Sequence, residues 1–106
     1  MSDIKALNLL GLARRAGKIS LGHDASEAQI KAGGAYACIV SGDASERLKN
    51  EMESLCSANK TKFIRTEYTM NELGMCLGSK MTAVLTVNDR GFAERFNELI
   101  RRNTDI

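Results

Sequence analysis

A chain of 106 residues, 43% hydrophobic and 26% charged, has the size and composition of one globular domain, with enough residues for a single core and too few for two. It holds no proline and no tryptophan, which excludes proline-rich linkers and tryptophan-lined pockets, and its apolar runs are far shorter than the ~20 residues of a membrane span. A formal net charge of +2 is too small to announce a polyanion binder by itself.

The N-terminal stretch MSDIKALNLLGLARRAGK carries its basic residues after its apolar part, the reverse of a secretory signal, so a cytoplasmic protein is expected. Ser2 can cap a first helix running from Asp3 to Ala16. Ile4, Ala6, Leu7, Leu9, Leu10, Leu12 and Ala13 give that helix a broad apolar face, and Gly17 suits a left-handed stop. Arg14 and Arg15 fall in its last turn, where the helix dipole favours cations; contact with RNA phosphates is the competing reading. A short extended segment, Lys18 to Leu21, leads to a glycine elbow at Gly22, and a second helix opens at His23-Asp24. Asp24-Ala25-Ser26-Glu27 matches a capping pattern, and Gly33-Gly34 ends that helix.

Ala35 to Val40 reads as a buried strand. Ser45 then starts a third helix with Leu48, Met52, Leu55 and Cys56 on one face, ending near Asn59. Lys62 to Thr66 is the next strand. Thr69 to Glu72 forms a capping box for a short helix ending at Gly78, and Met81 to Val87 is a further buried strand. Asn88 or Asp89 opens a last helix with Phe92, Phe96, Leu99 and Ile100 facing inward and Arg101 and Arg102 at its solvated end. Helices alternate with strands at crossover spacing, so the expected fold is α/β, a three-layer α/β/α sandwich over one domain spanning 1–106, with a mostly parallel sheet.

The chemistry-bearing residues are few. Cys38, Cys56 and Cys76 are isolated and odd in number, without metal-ligand spacing, and read as small reduced core residues. There is one histidine, and no phosphate loop, nucleophile elbow or dinucleotide fingerprint, so no enzyme, catalytic residue, metal or cofactor is expected. Residues 1–34 hold five basic and three acidic side chains, which places the basic excess around Arg14 to Gly34. At a helix N-terminus a neutral His23 and an Asp24 capping its own helix are expected. A carboxylate there repels phosphate, so His23 and Asp24 would meet a base or sugar edge while Arg14, Arg15 and Lys18 handle phosphates. Ser79, Lys80 and Met81 form a second candidate site, a hydroxyl, a cation and a sulfur-bearing apolar side chain able to clamp an unpaired nucleotide; a plain connection with Met81 turned into the core is the alternative.

Ala16 to Gly22 with the helix after it, the strand AYACIVSGDAS, Glu72-Leu73-Gly74 and Gly78 resemble the family of ribosomal proteins seven-Ae and thirty-e, whose members bind kink-turn RNA. The opening LNLLGLARRAGKI and the closing LTVNDRGFAERF resemble its bacterial YlxQ-type branch. The resemblance implies an α/β/α sandwich with a small mixed four-stranded sheet, no cofactor, and an RNA-binding or ribosome-associated role. Its implied partners are structured RNA, ribosomal or containing a kink-turn, and ribosomal proteins, with neither membrane nor DNA. The family's basic-glycine corner is matched by Gly17, Lys18 and Gly22. The polar pair and acid after the glycine become His23, Asp24 and Ala25, the lysine one turn further is Ala28, and Lys31 follows ~4.5 Å along the axis. The apolar-x-apolar loop becomes Ser79-Lys80-Met81. The implied RNA site is thus Arg14, Arg15, Lys18, Gly22, His23, Asp24, Lys31, Ser79, Lys80 and Met81, on one continuous face. A protein-interaction module on the same fold, without specific RNA recognition, is the alternative, for which Ala25 and Ala28 speak.

Overall fold

The computed structural model describes residues 4–104. The elements follow in the order α1 (Ile4–Arg15), β1 (Ile19–Leu21), α2 (His23–Ala32), β2 (Ala37–Val40), α3 (Glu46–Ala58), β3 (Lys62–Arg65), α4 (Met70–Cys76), β4 (Val84–Val87) and α5 (Arg90–Thr104). The Ser2 cap and the Arg102 side chain lie outside the described residues. Two cores flank one sheet. Ala37 and Ile39 of β2 and Leu85 and Val87 of β4 face α1, α4 and α5, where Leu10, Leu73 and Phe96 are buried. Cys38 and Val40 of β2 and Val84 of β4 face α2 and α3, where Ile30, Met52 and Cys56 are buried. Alternation along each strand, period two, sends neighbouring side chains into opposite cores, which is why β2 and β4 are apolar throughout. The expected α/β/α sandwich is the observed one.

The sheet is not mostly parallel. Its order is β1-β4-β2-β3, with β2 and β3 parallel and β4 antiparallel to both β1 and β2. Helices α2 and α3 do return the chain as crossover units, so β1, β2 and β3 share a direction. Helix α4 has seven residues and spans only ~10 Å, less than the ~13 Å of a four-residue strand. The chain is at the end of the sheet where β3 finished when it enters β4, and it runs back between β1 and β2.

Several element boundaries move. The second and fourth strands are shorter than expected, leaving Tyr36 and Met81 outside the ladder. In α1 the apolar stripe is narrower than the sequence suggests: Ala6, Leu10 and Ala13 are buried, while Ile4 is 68% and Leu12 50% exposed. Helix α2 begins at His23 with Gly22 as its N-cap and no side-chain cap, so Asp24 does not cap its own helix. Gly33 closes it in the left-handed conformation, as expected. The Ser45 cap of α3 accepts from Leu48 N–H at 3.1 Å, and Thr69 and Glu72 form the complete capping box of α4.

Cys38 and Cys56 are buried between β2 and α3, and the neighbouring Cys56 thiol, then burial, pushes the Cys38 thiol up. Burial raises the half-buried Cys76 to about 11, and its thiol donates to the Leu73 carbonyl at 3.2 Å.

Candidate nucleic-acid interface

At the end of the sheet where β1 finishes and β4 begins, the chain makes two irregular passages. After Leu21 the backbone turns at Gly22 with φ 88° and ψ 174°, a region essentially reserved for glycine, and enters α2 at once. Gly22 N–H donates to the Val84 carbonyl at 2.9 Å, which ties the turn to the start of β4. The segment from Gly78 to Ala83 descends beside it. Ser79 N–H donates to the Gly74 carbonyl at 2.8 Å and Thr82 N–H to the Met70 carbonyl at 3.0 Å, so α4 holds this segment from behind. Gly74 permits the closeness: a Cβ there would lie 2.7 Å from the Lys80 carbonyl carbon and 3.0 Å from Met81 Cα.

Between the two passages lies a cleft of about 330 Å³ lined by Leu21, Gly22, His23, Leu48, Ser79, Met81, Thr82, Ala83 and Val84. Sequence reasoning brought Gly22, His23, Ser79 and Met81 to this place. It missed Leu48, assigned only to the α3 core, and Glu51, one turn further along α3. The spacing of three between them marks a shared helix face, but nothing in the sequence says that this face meets the β1–α2 turn. Met81 is 60% exposed rather than turned into the core, and Lys80 beside it is exposed with no ion pair among the described residues.

His23 departs from expectation. Its Nε2 lies 2.7 Å from a Glu51 carboxylate oxygen and its Nδ1 3.2 Å from an Asp24 oxygen. The hydrogen bond to Glu51, then the one to Asp24, raises its pKa above the ordinary 6.5, the direction opposite to that expected from the helix dipole. Glu27 adds a third negative charge to this rim. The donor atoms of His23, Asp24 and Glu27 lie within 4.8 Å of one another. A small cation could fit that spacing, but both imidazole nitrogens already face carboxylates and the N-terminal dipole of α2 opposes a positive ion.

The expected single face is divided. Lys18 stands at the opposite end of β1 from Gly22, about 13 Å away at ~3.3 Å per residue. Its carbonyl accepts from Asn88 N–H at 2.7 Å, at the far end of β4. Arg14 and Arg15, one tight turn before Lys18, go with it. Lys31 sits in the last turn of α2, two helical turns from the cleft, and pairs with Glu27 at 3.4 Å. The cleft therefore gathers Gly22, His23, Ser79 and Met81, Asp24 and Lys80 are exposed beside it without lining it, and the sheet separates Arg14, Arg15 and Lys18 from it.

No helix among the described residues is long and apolar enough to cross a membrane. The profile of the Ribosomal protein L7Ae/L30e/S12e/Gadd45 family matches residues 4–97. The chain is 34% identical over 96 residues to the RNA-binding protein YlxQ of Enterococcus faecium, covering 91% of each chain. It is 30% identical over 100 residues to the RNA-binding protein YlxQ of Bacillus subtilis (strain 168), covering 94% of this chain and 99% of that one. Among solved structures, a Bacillus halodurans protein of unknown function superposes with a TM-score of 0.87 at 27% identity, covering 93% of this chain and 99% of the other. The Giardia lamblia 15.5kD RNA binding protein superposes at 0.76 and 17% identity, covering 93% and 84%, a likeness of fold.

Proposed function

This chain belongs to the Ribosomal protein L7Ae/L30e/S12e/Gadd45 family, and on that premise we propose that it is a non-catalytic RNA-binding protein, ribosome-associated or directed at kink-turn-like structured RNA. The observation that carries the reading is the convergence of the β1–α2 turn and the 79–83 segment on one half-open cleft with apolar walls and an exposed methionine at its mouth. An unstacked base has apolar faces and polar edges, and such bases are what sequence-specific RNA readers capture. In this reading Leu21, Leu48 and Met81 cover the base faces, Ser79 and His23 reach its edges, Gly22 lets the backbone come close, and Lys80 takes a flanking phosphate. Asp24 meets a sugar or base edge, because its charge disfavours phosphate. Arg14, Arg15, Lys18 and Lys31 would contact RNA only where it extends beyond the cleft. The names of the two bacterial relatives support RNA as the ligand. The partners are structured RNA and, in a ribosomal setting, ribosomal proteins, in the cytoplasm, with no cofactor, DNA or membrane.

A protein-interaction module on the same fold is the second reading. The three carboxylates around His23, with uncharged Ala25 and Ala28 on the same helix, favour it. A filter-binding titration against a kink-turn RNA at two salt concentrations separates the two. Salt-sensitive binding that a Lys80→Ala/Met81→Ala variant loses supports the RNA reading. No binding at low salt, with a co-purifying protein instead, supports the other.

A further inference from the structure

The end of the sheet opposite the cleft carries the opposite charge. The register places Ile19, Val87, Ala37 and Lys62 in one row across the four strands, so the next positions outward are Lys18, Asn88, Tyr36 and Thr61. Helices α1, α2 and α3 all finish at this end, and α5 begins there. Arg14, Arg15, Lys18, Lys60 and Lys62 form no ion pair among the described residues, and all five are exposed. Two carboxylates stand among them. Asp89 is engaged as the cap of α5, accepting from Phe92 N–H at 2.9 Å, and Glu94 pairs with Arg90 at 3.2 Å.

Tyr36 stands in the middle of this row. Its N–H donates to the Val87 carbonyl at 2.9 Å, which fixes the backbone to the sheet, yet the residue is 50% exposed. With Lys62, Arg90, Ala93, Glu94 and Asn97 it lines a shallow groove of about 160 Å³. An exposed aromatic ring on a rigid base, with Lys62 and Arg90 lining the same groove and Lys18 two strands away, is the kind of arrangement on which single-stranded nucleic acid stacks a base while its phosphates are neutralised. At ~4.8 Å per strand, the row from Lys18 to Thr61 spans about 14 Å, with Lys62 one residue inward of its end, room for a short run of backbone.

We propose that this cationic end of the sheet, centred on Tyr36 with Lys18, Lys62 and Arg90, is a second RNA-contact surface that takes an unpaired strand, independent of the cleft on the far side of the molecule. The proposal rests on the RNA reading above for the identity of the polyanion and on none of the cleft residues. A protein with two such surfaces holds a structured element at one end and a single-stranded flank at the other.

The chain itself supplies the reporter. It has no tryptophan and two tyrosines, Tyr36 at this surface and Tyr68 buried at 3% exposure. An unstructured oligouridylate of about ten nucleotides is titrated into the full chain, following tyrosine emission and, with a labelled oligonucleotide, anisotropy at several salt concentrations. The expected result is quenching of tyrosine emission that disappears in Tyr36→Phe. A Lys18→Gln/Lys62→Gln variant should bind the oligonucleotide at least ~10-fold more weakly, with a log–log salt slope shallower by about 1.4, two phosphates at ~0.7 each. Quenching that persists in Tyr36→Phe, or an oligonucleotide affinity unchanged in the double variant, overturns the proposal. Kink-turn RNA titrated into the Lys80→Ala/Met81→Ala variant reads the cleft separately. Kink-turn binding by the parent chain that this variant retains, with the oligonucleotide results as expected, removes the cleft reading alone; kink-turn binding that this variant loses, with no oligonucleotide binding by the parent chain, removes this one alone. All the substituted side chains are exposed, and a circular dichroism melt matching the parent chain shows that they leave the fold intact.

Discussion

Gly74 couples the stability of the fold to the shape of the cleft, and Gly74→Ala tests that coupling. The residue is helical and buried in α4, and by helix propensity alone alanine would stabilise it by about 0.8–1.0 kcal/mol. The added Cβ, however, would sit 2.7 Å from the Lys80 carbonyl carbon, which must retreat to at least the 3.4 Å of ordinary contact, and would also press on Met81 Cα at 3.0 Å. Both obstacles are backbone, so no side-chain rotation relieves them. Overpacking of this kind costs about 1–3 kcal/mol, which exceeds the propensity gain. The expected net loss is about 1 kcal/mol, or a fall in Tm of about 4–8 °C for a domain near this size. Because the displaced atoms carry Lys80 and Met81, affinity for structured RNA should fall several-fold as well. Urea unfolding with an unchanged m-value, read beside a binding titration of the folded variant, separates the two effects. A variant that melts higher than the parent and binds RNA equally well would refute the claim that α4 sets the position of the 80–81 backbone.

Three further outcomes follow from single contacts. Thr69→Ala removes the cap that accepts from Glu72 N–H at 3.0 Å and should lower stability by about 1 kcal/mol in urea unfolding. Phe96→Ala empties the largest fully buried side chain of the core facing α1 and α4 and should cost about 3–5 kcal/mol, enough to leave a marginal domain largely unfolded at 37 °C. His23 should titrate above 6.5 by NMR, and Glu51→Gln should lower its pKa more than Asp24→Asn, since Glu51 is the larger cause. The sign follows from linkage. A folded pKa raised above the unfolded one gives stability that is fully present below about 6.5 and is lost as pH rises through the folded value, so the parent chain should gain stability relative to His23→Gln on acidification towards that range.

Most of the elements were legible because their signals are local. The Thr69–Glu72 box, the Ser45 cap, the Gly33 stop and the apolar strands around Ile39 and Leu85 are fixed by neighbours within a few residues, where capping, backbone freedom and period-two burial operate. Two local readings left out a neighbour. Asp24 matched a cap pattern, but Gly22 turns the chain two residues earlier and places Asp24 inside the first turn. The dipole at a helix N-terminus disfavours a charged His23, but Glu51, 28 positions away on another helix, accepts its hydrogen bond and raises its pKa.

The sequence by itself determined the helices, the strands and the sandwich, and it marked the β1–α2 turn and the 79–81 segment as the places where chemistry could sit. Only the tertiary structure decided that β4 runs antiparallel between β1 and β2, since that depends on which end of the sheet the chain re-enters after α4, and contacts distant in sequence set that end. The same decision divided the charges. Arg14, Arg15 and Lys18 are close in sequence to Gly22, but a strand moves the chain ~3.3 Å per residue in one direction, so the three residues of β1 put the cations at one end of the sheet and the glycine turn at the other.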